Sequence, residues 1–249
     1  MKRAFEPYNE KDDPRHEEWL DEDATDEYIP KTRGFITDYV YANRGREMAS
    51  AYCVWTGLFM ISSIVQREAW LSSEGGDDVL DRDWLNLFTI LIGQAGCGKS
   101  RAVLAAQKIL KTVSAKLQET ENPYLMAKEF LTLAEASTPE SMVHVMAEFA
   151  QGEGDNRRVI TGVVDGEKVN TYARTNTVAM LSEFASMFGK QKYLEAMSSL
   201  LLNLYDCPAV YESASRGAGK VRAVEIFFNL MGAATPDGMV ESVNPAILQ

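Results

Sequence analysis

The chain has 249 residues, of which 46% are hydrophobic, so it is long enough to bury one large core with accessory segments. Three widely spaced cysteines without a CxxC pair, and only two histidines, argue against a disulfide framework, a structural zinc site and a histidine-built metal site. The net charge is −11, but residues 1–30 hold eleven carboxylates against four basic residues. The body therefore carries only −4, which does not exclude nucleic acid as a partner.

Residues 1–33 are predicted to be an acidic, disordered leader, because so few apolar side chains cannot offset the entropy lost on ordering. The alternative is a segment that binds a partner protein, with Trp19 and Leu20 as its docking handle. The leader is charged from its first residues, unlike a signal peptide, so we expect a cytoplasmic protein.

Residues 34–80 are predicted to form an N-terminal helical segment. Apolar side chains within residues 35–70 recur near the spacing of a helix. Those side chains are Met48, Tyr52, Trp55, Phe59, Ile61 and Ile64. The uncharged stretch 49–65 is short for a membrane span and contains serine, threonine and glycine, so we interpret it as a buried core helix. SSEGGDD (72–78) is typical of a loop.

Residues 81–249 are predicted to be an α/β domain in which apolar strands alternate with helices, an order typical of a mostly parallel sheet flanked by helices. The predicted strands are LNLFTILI (85–92), FLTLAEA (130–136), TVAMLSEF (177–184) and FFNLMGAA (227–234), and the predicted helices cover 98–117, 137–150 and about 191–204. Residues 158–173 and 209–226 are predicted hairpins, the first turning at Asp165-Gly166. The chain stops at Gln249, so we expect either a minimal domain or a fragment of a longer protein.

Two helices of this domain are predicted to begin with the same cap. Thr138 and Thr235 each precede a proline, which suits the first helical position, so each threonine oxygen can accept a hydrogen bond from the first turn. Ser137-x-x-Glu140 also resembles a capping box.

Residues 93–100, GQAGCGKS, match the pattern G-x-x-x-x-G-K-[ST] between a predicted strand and a predicted helix. The glycines let the backbone curl so that its N–H groups meet phosphate oxygens, and the helix N-terminus adds partial positive charge. We expect Lys99 to contact the β- and γ-phosphates and Ser100 to ligate magnesium, so the predicted cofactors are ATP and Mg²⁺.

Cys97 occupies a position that the motif leaves free, so it is either a small residue that fits the loop or a redox switch. The predicted nucleotide-binding residues are Gly93, Gln94, Ala95, Gly96, Cys97, Gly98, Lys99, Ser100 and Arg101.

Hydrolysis also needs a carboxylate at the end of a neighbouring strand, and residues 177–184 supply Glu183 as the predicted base. The usual pair is Asp followed by Glu, but Ser182 stands in the first position here. We therefore expect Ser182 to bind a metal-bound water without adding negative charge, which would weaken the affinity for Mg²⁺. Thr235 is predicted to position the attacking water, to cap the next helix, or both. Asn229 is the alternative sensor of the γ-phosphate.

Residues 212–225, ESASRGAGKVRAVE, place Arg216, Lys220 and Arg222 around two glycines in an otherwise acidic protein. Three interpretations remain open. The hairpin is a DNA-gripping loop of the kind used by ring-forming helicases related to the AAA+ class, or Arg216 is an arginine finger for a neighbouring subunit, or the segment is a solvated turn.

The order of these features resembles the YfjI-like family of phage and prophage P-loop ATPases, whose domains are RecA/AAA+-like. The likeness covers about residues 35–245: an apolar helix, NLFTILIGQAGCGKS, a helix beginning TPE, a strand ending S/D-E-F, an arginine hairpin and a strand ending TPD. Only the phosphate loop is a highly specific motif. The resemblance implies a P-loop NTPase that acts on DNA in viral or plasmid replication, with Gly93 to Ser100 as its nucleotide site and Glu183 as its hydrolytic carboxylate.

The leading hypothesis is an Mg-dependent, ring-forming helicase- or translocase-like motor, in the host cytoplasm if the protein is viral. Lys99, Glu183 and Thr235 would carry the chemistry, and the arginine hairpin would couple it to DNA. A DNA-packaging motor of the terminase type is an alternative, and it predicts a nuclease domain with clustered aspartates. A non-hydrolysing, nucleotide-dependent scaffold or switch is the third hypothesis, because Ser182 replaces the usual aspartate.

Overall fold

The computed structural model describes residues 34–43, 46, 48–72, 82–133, 138–151, 157–188, 194–215 and 219–242. The helices in these ranges are α1 (Phe35–Asn43), α2 (Ser50–Val65), α3 (Lys99–Gln118), α4 (Pro123–Met126), α5 (Pro139–Ala150), α6 (Ala185–Phe188), α7 (Leu194–Tyr205) and α8 (Pro236–Ser242). The strands are β1 (Trp70–Ser72), β2 (Arg82–Trp84), β3 (Phe88–Ile92), β4 (Leu131–Leu133), β5 (Val159–Val164), β6 (Glu167–Tyr172), β7 (Asn176–Leu181), β8 (Val210–Ser215), β9 (Gly219–Val224) and β10 (Phe227–Ala234). The leader 1–33 and residues 73–81 lie outside the described residues.

A four-stranded parallel sheet is the centre of the fold, with the strand order β3-β10-β7-β4. The expectation of an α/β fold with a mostly parallel sheet flanked by helices is confirmed at this level. Because all four strands run the same way, their carboxyl ends meet at one edge, where the loops that follow them lie close together. Strand β10 fills the space between β3 and β7, so the strand before the phosphate loop and the strand before Glu183 are not direct neighbours.

Alternate residues of the central strands face two separate cores, as expected for a sheet that is buried on both faces. Ala179 and Leu181 of β7 pack with α5 and α7 on one face. Val178 and Met180 of the same strand pack with α1, α2 and α3 on the other face. Every residue of β7 and of β10 is buried, which explains why both segments are mostly apolar in the sequence.

The predicted caps and the first predicted turn are confirmed. The Thr138 Oγ1 accepts a hydrogen bond from Ser141 N, and the Thr235 Oγ1 accepts one from Gly238 N, each at the first turn of its helix. Ser137 of the predicted capping box lies outside the described residues. The hairpin β5–β6 turns at Asp165-Gly166, where both residues have positive φ (52° and 85°), as a tight two-residue turn requires.

The prediction of helix throughout residues 35–70 is wrong at its end. Helix α2 stops at Val65 because Gln66 adopts a φ of 55°, and residues Gln66–Glu68 form only a short 3-10 turn. Trp70 then pairs with Trp84 in the antiparallel β1–β2 pair, and their rings meet edge to face at 6.0 Å between centroids.

None of the helices in the described ranges combines the length and apolar character that crossing a bilayer would require.

A buried polar network joins α2 to the sheet. Asn229, fully buried in the middle of β10, donates from Nδ2 to the hydroxyls of Ser62 and Ser63, both at 2.9 Å. Its Oδ1 accepts from Leu87 N at 2.7 Å, just before β3 begins. The side chain of Asn229 is therefore committed to the core, and the structure does not support its prediction as a γ-phosphate sensor.

Ion pairs hold the opposite edge of the sheet, where the strands begin. Glu225, between β9 and β10, accepts two hydrogen bonds from the Arg157 guanidinium at 2.9 and 3.2 Å and pairs with Arg174 at 3.2 Å. Arg174 also pairs with Glu68 at 2.8 Å. Burial acts to raise the pKa of Glu225, but the hydrogen bonds and positive charge of Arg157, with Arg174 and Arg67, hold that pKa below its usual range.

Candidate nucleotide site

The loop that follows β3 has the backbone conformation its glycines permit. Gly96 and Gly98 both have a φ of 83°, in the left-handed region that side chains with a Cβ rarely adopt. Gly98 is the N-cap of α3, so the loop leads directly to the N-terminus of a 20-residue helix. A strand, a glycine-rich turn and a helix N-terminus in this order are the elements with which proteins commonly bind phosphate groups.

Lys99 lies under this loop, not out in solvent. Only 7% of its surface is exposed, and its ammonium donates to Gly93 O at 2.7 Å and to Gln94 O at 2.6 Å. The Cys97 sulfur is 3.6 Å from the same Nζ. Neutral carbonyls are weaker partners for an ammonium than phosphate oxygens are. The observed position therefore holds the positive charge of Lys99 against the loop.

Gly93 has no side chain, and this leaves room for Tyr52, a residue predicted only as part of a core helix. The Tyr52 hydroxyl, on α2, donates to Ile92 O at 2.9 Å and lies 3.5 Å from the Cys97 Sγ. A Cβ on Gly93 would overlap that hydroxyl and come within 2.8 Å of the Cys97 sulfur. The signal in the sequence was a tyrosine on an otherwise uncharged, apolar helix, since a buried phenol usually needs a polar partner.

The three cysteines differ in their acidity. The hydrogen bond with Tyr52 and the nearby Lys99 ammonium lower the pKa of the Cys97 thiol. Burial, with a smaller contribution from Cys97, raises the pKa of Tyr52 to about 12. Burial also raises the pKa of Cys53 and takes that of Cys207 to about 11. Cys97 is therefore the thiol with the greatest thiolate character in the described part of the chain.

Ser100, the predicted metal ligand, and Ser182, predicted to bind a metal-bound water, meet through one hydrogen bond to the Ser182 backbone carbonyl. The Ser100 hydroxyl, at the second residue of α3, donates to Ser182 O at 3.3 Å, although β10 separates the strands that lead to them. Hydroxyl and carbonyl oxygens are hard donors that suit Mg²⁺ together with water molecules. No cluster of three or more histidine, cysteine or acidic side chains able to hold a metal occurs in the described ranges.

Glu183 directly follows Ser182 and is exposed at the same edge of the sheet. Its backbone carbonyl accepts from the Ser186 N–H at 3.1 Å and from the Ser186 hydroxyl at 2.6 Å. The next residue, Phe184, donates from its N–H to Ala233 O at 2.7 Å, which ties this turn to β10. The backbone around Glu183 is thus fixed, and its carboxylate is accessible to solvent and to a ligand.

Thr235 follows β10 beside the base of the phosphate loop. The preceding residue, Ala234, accepts from Gly93 N at 3.2 Å, so the two chain segments leave the sheet side by side. The Thr235 cap uses the hydroxyl oxygen as an acceptor, which leaves the hydroxyl hydrogen for a second partner. The cap and the predicted water-positioning role are therefore compatible. Gln94, Ala95, Gly96 and Arg101 are exposed around the same loop.

The arginine hairpin is described only in part. Arg216 and the side chain of Lys220 lie outside the described residues. Arg222 is an exposed residue of β9 whose guanidinium pairs with Glu212, directly across the hairpin, at 3.7 Å. Both side chains are exposed, so this ion pair is weak. The base of the hairpin is held where Thr175 N donates to Val224 O at 3.1 Å, at the edge of the sheet opposite the phosphate loop.

Comparison of the chain with protein-family models, with curated proteins and with solved structures gives no match.

Proposed function

We propose that the chain is an Mg²⁺-dependent ATPase with a P-loop NTPase fold of the RecA/AAA+ kind, acting as a helicase- or translocase-like motor in the replication of phage or plasmid DNA. The proposal is carried by the meeting of Ser100 with Ser182 at 3.3 Å, which brings the phosphate loop and the turn of Glu183 to one edge of the sheet. It is further supported by the left-handed glycines of the loop and by the buried Lys99 ammonium.

Each residue of the site has a role that its geometry permits. The backbone N–H groups of the loop and the Lys99 ammonium would hold the phosphates, and Ser100 with the Ser182 carbonyl would hold Mg²⁺. A bound Mg²⁺ would neutralise charge on the phosphate oxygens. The exposed Glu183 carboxylate would accept a proton from the attacking water, and the Thr235 hydroxyl would orient that water.

The DNA and assembly parts of the proposal depend on the arginine hairpin and on the family resemblance. The weak pairing of Arg222 with Glu212 leaves a guanidinium that a DNA phosphate can recruit. In this proposal the hairpin contacts DNA within a homo-oligomeric ring in the host cytoplasm. The alternative role for Arg216, an arginine finger toward a neighbouring subunit, remains part of the proposal.

ATP turnover with and without single-stranded DNA tests the proposal. Lys99→Ala should abolish turnover, and Glu183→Gln should lower kcat by about 10²- to 10⁴-fold while retaining ATP binding. Lys108→Ala on the exposed side of α3 and Glu195→Gln at the start of α7 are matched controls, and they should keep the parent rate. Equal rates for Glu183→Gln and the parent chain would remove Glu183 from the role of base.

A second candidate function, a nucleotide-dependent scaffold or switch without turnover, is favoured by one observation. The position of the usual aspartate is Ser182, and no acidic cluster for a metal occurs in the described residues. In that case ATP would bind and change the oligomeric state, and phosphate release would be undetectable. Light scattering with and without ATP, beside the turnover assay, distinguishes this candidate from the motor.

A further inference from the structure

We propose that Tyr52 is a positioning residue of the phosphate loop, which sets the shape of the loop from the neighbouring helix α2. The inference rests on the proposed nucleotide site and adds a residue to it from outside the sequence pattern. It also makes the N-terminal helical segment a part of that site.

The Tyr52 hydroxyl touches both ends of the loop. It donates to Ile92 O, the residue before the first glycine, at 2.9 Å, and it lies 3.5 Å from the Cys97 sulfur, four residues past that glycine. The space between these contacts is open only because Gly93 has no side chain. One phenol therefore fixes the separation of residues 92 and 97, and with it the width of the turn between them.

The other contacts across the loop are weak or use groups that a phosphate would recruit. In the described loop the backbone contributes the bond from Cys97 N to Gln94 O, at a long 3.4 Å. The Lys99 ammonium bridges Gly93 O and Gln94 O, but these bonds weaken when the ammonium turns to an anion. The Tyr52 hydroxyl uses neither the Lys99 ammonium nor the two carbonyls that hold it, so its contacts do not depend on the ammonium staying in place.

Nucleotide affinity gives the first test. Tyr52→Phe keeps the ring and removes the hydroxyl, so the Kd of a fluorescent ATP analogue with Mg²⁺ should rise about threefold to tenfold, the range expected for one lost hydrogen bond. The kcat should stay within about twofold, because no group that touches the reacting atoms has changed. Tyr124→Phe, on an exposed tyrosine of α4, is the matched control and should leave both constants unchanged.

The alkylation of Cys97 by iodoacetamide gives a second test that needs no nucleotide. Peptide mapping isolates the Cys97 rate from those of the buried Cys53 and Cys207. Because Tyr52→Phe removes the hydroxyl that can turn from Ile92 O to a Cys97 thiolate and stabilise it, the midpoint of the rate against pH should move upward, whereas Tyr124→Phe should leave it in place.

The outcomes separate this proposal from the proposed function. A higher Kd together with the shifted alkylation midpoint supports Tyr52 as the positioning residue. An alkylation midpoint that Tyr52→Phe leaves unchanged overturns it, and a lower Tm of this variant would then show that Tyr52 only stabilises the fold. If the parent chain binds no nucleotide, the proposed function fails, and the alkylation profile alone decides whether Tyr52 sets the geometry of the loop.

Discussion

The Ser100 hydroxyl donates to the backbone carbonyl of Ser182 at 3.3 Å, and this bond joins the first turn of α3 to the end of β7. Strand β10 lies between the strands that lead to these residues, so the contact spans the carboxyl edge of the sheet. This geometry defines where a divalent cation would sit if the proposed function is correct.

Restoring the missing carboxylate should strengthen that cation site. Ser182→Asp adds a carboxylate to the residue whose backbone carbonyl meets Ser100, so the Mg²⁺ concentration that gives half-maximal ATP binding should fall by about tenfold or more. Ser199→Asp, which adds the same charge on the exposed side of α7, is the matched control. A titration of nucleotide binding against Mg²⁺ measures both, and an identical midpoint for Ser182→Asp and the parent would contradict the placement of the cation.

The Asn229 network should stabilise the fold without acting in catalysis. Asn229→Ala leaves Leu87 N without its acceptor and opens a cavity in the core, while the Ser62 and Ser63 hydroxyls lose one donor each but keep their bonds to backbone carbonyls, so the free energy of unfolding should fall by about 2–4 kcal/mol. Asn203→Ala, on the exposed side of α7, should cost less than about 0.5 kcal/mol. Urea unfolding measures the difference. A strong loss of ATP turnover in a folded Asn229→Ala protein would restore this residue as a sensor.

Acid should weaken the ion pairs at the opposite edge of the sheet. The folded protein holds the pKa of Glu225 below its ordinary value, so the carboxylate stabilises the fold fully above about pH 4.5, and this contribution is lost as pH falls through the folded pKa. The Tm of Glu225→Gln should therefore lie below that of the parent near neutral pH and approach it in acid. Glu195→Gln controls for the removal of an exposed carboxylate. A gap in Tm that stays constant down to about pH 3 would contradict the assignment.

Substitution of either residue of the exposed pair Arg222–Glu212 should change the affinity for single-stranded DNA, in opposite directions. Arg222→Ala should weaken binding of single-stranded DNA and reduce its salt dependence, because one phosphate contact is lost. Glu212→Gln should strengthen binding, because it removes the competing carboxylate. Neither change should alter the free energy of unfolding by more than about 0.5 kcal/mol, as is usual for a surface ion pair. Fluorescence anisotropy with a labelled oligonucleotide measures both, and equal affinities would identify the hairpin as a solvated turn.

Local pattern predicted most of the central sheet, because its strands are buried on both faces and differ sharply in hydrophobicity from their surroundings. FFNLMGAA became β10 with the same bounds, Phe227–Ala234, and both proline-following caps formed as expected. The motif residues Lys99, Ser100 and Ser182 also came together. Apolar runs, helix caps and short motifs can be predicted from the sequence because each depends on only a few neighbouring residues.

The order of strands and the packing of α2 depend on contacts between distant residues, so no local pattern predicts them. The insertion of β10 between β3 and β7 follows from pairings such as Leu230 with Phe88, more than 100 residues apart in the chain. The contact of Tyr52 with Ile92 likewise depends on how a helix lies against a strand. Asn229 had the polarity expected of a sensor, but its partners on α2 could be identified only in three dimensions.

Strand β3 pairs with a strand on one side only within the described sheet, and α2 holds the other side by two hydroxyls. Ser62 donates to Leu85 O at 2.6 Å near the start of the strand, and Tyr52 donates to Ile92 O at its end. The helix is thus attached at both ends of the segment that carries the phosphate loop. The position of α2 and the position of this segment are therefore coupled, so neither can shift along the helix axis without breaking one of these two bonds or carrying the other element with it.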